Sequence, residues 1–117
     1  MQIVDLARAV RRRDFLAARE WVKEARRQHE DPAAFARPAT ADREELALAA
    51  ALAELLAERA GRPPPAWSAE AGPLAEPVWL SEAARRHPTL AAHLQEASPE
   101  PFRRRRIFAF PDFLRVA

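Results

Sequence analysis

The stretch DREELALAAALAELLAERAGRPPP, residues 42–65, constrains the fold more than any other part of the chain. Alanine, leucine and glutamate are strong helix formers, and the three prolines that follow Gly61 cannot continue a helix. Asp42 with Glu45 three residues later makes a candidate capping box at the start, with Thr40 as a rival cap, and Gly61 suits the left-handed residue that ends a helix. The spacing therefore predicts a helix over 42–61. Leu46, Leu48, Leu52, Leu55 and Leu56 cover most of its circumference, which is the pattern of a helix surrounded by neighbours. The narrow stripe left over, Ala47, Ala51, Glu54, Glu58 and Arg62, is more polar, and Glu54, Glu58 and Arg62 read as a solvated edge.

Before it, residues 1–31 carry two short apolar stripes at helical spacing, Ile3, Leu6, Ala7 and Val10, then Phe15, Ala18, Val22 and Ala25. They read as a helical hairpin in which Asp14 caps the second helix and Arg11, Arg12 and Arg13 sit near the last carbonyls of the first. The hairpin resembles a tetratricopeptide unit, but no second copy follows and a solenoid is not expected. Residues 62–80 hold a proline-rich run punctuated by Trp67, Leu74 and Trp79, which reads as a strap laid across helices instead of a free linker. Ser81 and Pro88 mark the starts of two short helices, and Ser98 with Pro99 repeats the signal. The closing segment, PEPFRRRRIFAFPDFL, then sets four arginines among phenylalanines. IFAF reads as a short extended piece and PDFLRV as a final helical turn. The sequence leaves open whether residues 78–80 and 107–110 pair as a two-stranded β ribbon.

Taken together, the 117 residues, 49% of them hydrophobic, suffice for one core. The expected fold is an all-α, single-domain helical bundle: hairpin 1–31, central helix 42–61, strap 62–80, and short helices with an arginine-rich closing segment over 81–117. Nowhere does an uncharged apolar run reach membrane-spanning length, and the N-terminus has no cleavable apolar region, so a cytoplasmic protein without membrane contact is expected. Of 19 lysine and arginine residues only Lys23 is lysine, and asparagine is absent, a thermophile-like composition.

Few residues offer chemistry. The absence of cysteine excludes thiolate zinc sites and thiol nucleophiles. His29, His87 and His93 lack metal-ligand spacing, no glycine-rich phosphate loop is present, and Ser81 and Ser98 are explained as caps. No cofactor and no metal are expected. Arg86 and His93 match the R-x4-6-H pattern and in this resemble HEPN ribonucleases, in which such an arginine would stabilise phosphate charge and the histidine would move a proton. Pro88 falls between the two and breaks the helix they would share. The tryptophans Trp21, Trp67 and Trp79 read first as packing, with a stacking platform for bases or sugars as the alternative. The arginines at 11–13, 85–86 and 103–106 could form a phosphate-binding patch, but 17 acidic residues bring the net charge to only +2.

LAELLAERAGRPPPAW together with SPEPFRRRRIFAF resembles a helical module found as the C-terminal part of Xre-type regulators and antitoxin-like proteins, over about residues 42–116. The resemblance implies an accessory or sensing role in a regulatory or toxin–antitoxin-like system. It does not imply sequence-specific DNA binding, because the residues before Asp42 form no recognition-helix pattern. The leading expectation is therefore a non-enzymatic interaction module that meets a protein partner or a second copy of itself through Arg103, Arg104, Arg105 and Arg106, with Trp67 and Trp79. The alternatives are a nucleic-acid binder using its arginine clusters and a HEPN-like ribonuclease using Arg86 and His93. Some of the four closing arginines are expected to pair with Glu54 or Glu58.

Overall fold

The computed structural model describes residues 1–116 and shows the all-α fold that the helix signals predict. Six α-helices run in chain order: α1 (Ile3–Arg11), α2 (Phe15–Arg27), α3 (Arg43–Ala60), α4 (Glu82–Arg86), α5 (Pro88–Ala97) and α6 (Glu100–Arg103), with 3-10 turns at Pro32–Ala34 and Ala66–Glu70. Three side-chain caps are where the sequence puts them. The Asp14, Asp42 and Ser81 side chains accept hydrogen bonds from the backbone N–H groups of Ala17, Glu45 and Ala84, at 3.1, 3.1 and 3.3 Å. Each satisfies a donor that the first turn of its helix leaves free. The capping box at Asp42 is only half made, because the Glu45 carboxylate turns to Arg8 at 2.9 Å instead of reaching back to the cap.

Helix α3 is the hub. Every residue from Ala47 to Leu55 is buried, and α1, α6 and both 3-10 turns pack around it. The alanines let those neighbours approach closely, while Leu48, Leu52 and, from α1, Leu6 and Val10 fill the space between. Each fully buried leucine contributes about 1.5–3 kcal/mol of transfer free energy. α1 also meets the start of α3 through Arg11, which pairs with Asp42 at 2.7 Å and Glu44 at 2.8 Å. These pairs are partly exposed and fix orientation more than they stabilise.

Helix α3 ends at Gly61, whose φ of +65° is the left-handed conformation. The N–H groups of Arg62 and Gly61 close the helix on the carbonyls of Ala57 and Glu58. A Cβ at Gly61 would meet no atom within 4 Å, so the backbone conformation alone opposes a side chain there. Gly61→Ala is expected to cost about 1 kcal/mol, read as a lower urea midpoint at unchanged slope. An unchanged midpoint would show that the left-handed closure is dispensable.

The two short apolar runs do pair. β1 (Val78–Trp79) and β2 (Ile107–Phe108) form a parallel ribbon, with Val78 opposite Ile107 and Trp79 opposite Phe108. Parallel strands need a crossover, and α4, α5 and α6 supply it. α4 and α5 pack on this ribbon through a small apolar cluster of Ala84, Leu94 and Phe108, with Trp79 and Leu90 against it.

Two expectations need correcting. Residues 111–114 form turns and no final helix. Ser98 does not cap α6: its buried hydroxyl donates to the Leu94 carbonyl at 2.5 Å and accepts from the Ala109 N–H at 2.9 Å, tying the end of α5 to the residue after β2. Among the described residues no helix is long and apolar enough to cross a membrane.

Candidate functional site

The four arginines of the closing segment face different environments because α6 is a single turn that runs straight into β2. Arg106 makes the join with a φ of +64°. Its carbonyl accepts from the Val78 N–H at 2.9 Å and so starts the ribbon. With α6 docked on α3 through Phe102, and the strap held on the other side, the third arginine turns inward.

Arg105 is 1% exposed. Its guanidinium grips the carboxylate of Glu54 with two parallel bonds, Nη1 to Oε1 at 2.9 Å and Nη2 to Oε2 at 2.8 Å. The other donors reach the carbonyls of Ala71 (Nε, 3.0 Å), Pro101 (Nη1, 2.8 Å) and Ser68 (Nη2, 2.8 Å). An arginine has five N–H donors, and all of them are used. One side chain thus joins α3, the middle and the C-terminal cap of the strap's 3-10 turn, and α6. Arg104 adds a bond to the same Glu54 and another to Glu100 at 3.2 Å. Glu54 is 7% exposed and no solvated edge, which corrects the reading of its stripe. Glu58 remains exposed and takes none of the four arginines. Burial alone would push the Glu54 carboxyl up, but the hydrogen bonds from Arg105, with the charges of Arg105 and Arg104, hold it below the usual glutamate range.

The two remaining arginines of the run stay on the surface and bond to backbone. Arg103 donates to the Glu96 carbonyl at 2.7 Å, and Arg106 to the Ala75 carbonyl at 2.5 Å. Among the described residues neither has a carboxylate partner, so their charge is available to a third party. Arg11 and Arg13 are less available. Arg11 is held by Asp42 and Glu44, while Arg13 donates to its own helix at the Arg11 carbonyl (2.8 Å) and to the Trp79 carbonyl (3.0 Å).

The tryptophans do not share a platform. Trp67 packs on the main core and spends its Nε1–H on the Phe35 carbonyl at 2.7 Å, while Trp79 stacks on Phe108 at 4.7 Å in the smaller cluster. Sequence reasoning missed a different aromatic feature. Phe113 is the middle of a row of rings, 5.5 Å from Phe102 and 5.8 Å from Phe15, both tilted edge to face. Beside this row in the chain lie exposed Leu16, exposed Phe110 and Arg103, and at 70% and 42% exposure the two apolar side chains are open to a partner. The signal was present in the spacing of Phe102, Phe110 and Phe113, but only the fold brings Phe15 to them.

Compared with protein-family models, curated proteins and solved structures, the chain matches none.

Arg86 is the last residue of α4, His87 the junction, and His93 lies within α5, so Arg86 and His93 stand on separate helices, both exposed. No hydrogen bond orients either side chain among the described residues. Nor do any three histidine or acidic side chains there group to hold a metal ion.

Proposed function

We propose that this domain is a non-enzymatic interaction module of a small regulatory assembly. The observation that carries the reading is the Arg105–Glu54 node. It anchors the closing segment to the core and so holds Arg103, Arg104 and Arg106 in fixed positions on the surface. Arg103 and Arg106, which have no carboxylate partner among the described residues, and the exposed side chains of Leu16 and Phe110 supply the two ingredients partners use, a charged border and an apolar anchor. The partner is a protein, or a second copy of the chain, that offers an apolar side chain ringed by carboxylates. Trp79, partly exposed within the ribbon that Arg106 opens, offers a further aromatic side chain, while Arg105 belongs to the interior. Resemblance of residues 42–116 to the C-terminal modules of Xre-type regulators and antitoxin-like proteins supports the regulatory setting.

The test is light scattering during size exclusion, combined with cross-linking mass spectrometry of complexes recovered from cells. Leu16→Ser with Phe110→Ser is expected to abolish the association and leave the fold intact by circular dichroism. A wild-type chain that stays a partnerless 13.2 kDa monomer under all conditions would contradict the reading. The nucleic-acid alternative draws on the same two free cations and predicts association that weakens steeply with salt. A ribonuclease acting through Arg86 and His93 predicts that cleavage disappears in His93→Ala.

A further inference from the structure

A cleft of about 510 Å³ opens between α2, the end of α3 and the C-terminal turn, within the size range of small-molecule sites. Its wall is apolar, built by Val22, Phe35, Leu56 and Leu114. Its charged groups are mostly cationic: Arg26, Arg59 and Arg115, one from each of the three elements, against one acid. Among the described residues none of the three has a carboxylate within ion-pair distance. Arg26 donates to the Val116 carbonyl at 2.9 Å and Arg59 to the Pro111 carbonyl at 3.3 Å, contacts that orient a guanidinium without neutralising it. The acid in the lining, Glu30, is taken by the N-terminal ammonium at 3.3 Å.

The electrostatics agree with this geometry. Desolvation first, and the like charge of Arg115 second, hold the Arg59 guanidinium below the usual arginine range, despite smaller opposing effects of Glu58 and Asp112. Three exposed cations at the edge of an apolar wall, none of them in an ion pair among the described residues, favour an anion. Planar guanidinium forks match the two oxygens of a carboxylate. The apolar wall sets a second requirement, since a small hydrated anion would leave it wet and gain nothing from burial.

We propose that this cleft binds a small carboxylate with an apolar body, the carboxylate held by Arg59 and Arg115 and the body lying against Phe35 and Leu56. The cleft shares no lining residue with the interaction surface, and it would give a regulatory module something to sense.

Isothermal titration with octanoate, 1-octanol and acetate separates the two requirements. Octanoate is expected to saturate a single site and to bind about tenfold or more tightly than either control, since one lacks the charge and the other the body. Arg115→Gln, an exposed position, is expected to weaken octanoate by about tenfold and leave octanol unchanged. Leu56→Trp, which fills the cleft from its wall, should remove octanoate binding while circular dichroism stays native. Equal binding of octanoate and octanol, binding of acetate as tight as octanoate, or octanoate binding unaffected by both substitutions would each overturn the proposal.

Discussion

Replacing Arg105 by methionine is expected to lower the unfolding free energy by about 3–5 kcal/mol, the cost of removing one partner from a buried ion pair. Methionine keeps much of the volume, so the loss is electrostatic and not a cavity effect. It leaves the Glu54 carboxylate inside the protein with only Arg104 to answer it, and it strips donors from the carbonyls of Ser68, Ala71 and Pro101. Against a total of about 5–15 kcal/mol for an ordinary domain, this removes a large fraction of the stability. The same substitution at Arg103 removes a single exposed bond to the Glu96 carbonyl and should cost less than about 1 kcal/mol. Urea unfolding of the two variants checks the contrast, and equal losses would show that the four arginines are equivalent.

The second large effect is on acid stability. Glu54, Glu45 and Asp42 all have carboxyls held below their usual range in the folded chain. For Asp42 the leading cause is the backbone N–H of Glu45, and for Glu45 the hydrogen bond from Arg8. In Glu54, burial opposes the shift and the Arg105 hydrogen bonds overcome it. A carboxyl with a lowered folded value binds protons more readily in the unfolded chain, so stability rises with pH through this region. Its contribution is complete above the ordinary glutamate value of 4.5 and is lost as pH falls through the lowered folded values. The urea midpoint is therefore expected to be flat from pH 8 to about 5 and to fall steeply below pH 4. In Glu54→Gln that acid limb should become shallower, while the midpoint at neutral pH drops because Arg105 loses its counter-charge. An unchanged limb would show that Glu54 does not titrate with folding.

How much of this was legible in the chain differs between local and distant signals. Asp14, Asp42, Ser81, Pro88 and Gly61 mark helix ends correctly because a cap acts on the next three residues or the preceding turn, and that information is local. The β ribbon could be suspected from two apolar runs. Its parallel direction followed only from the short helices between them. For Glu54 the expected pairing with the closing arginines holds, but the solvated edge does not: its spacing to Glu58 and Arg62 is that of an exposed helix face, while the residue that buries it is 51 positions away. Four identical arginines give no local reason to send the third one inward. That choice is made by where α6 stops and by the left-handed backbone at Arg106. A usable signal did exist: an isolated acid in an alanine-leucine helix, and an arginine run flanked on both sides by large apolar residues.

The Arg105–Glu54 pair carries the central claim, that the arginine run is first a staple of the fold and only then a surface. A double-mutant cycle with Glu54→Leu, Arg105→Leu and the combined variant, read by urea unfolding at pH 7, measures that pair directly. The two losses should be strongly non-additive, with a coupling of about 2–3 kcal/mol, because the combined variant no longer buries a lone charge. Losses that add to within about 0.5 kcal/mol would contradict the claim.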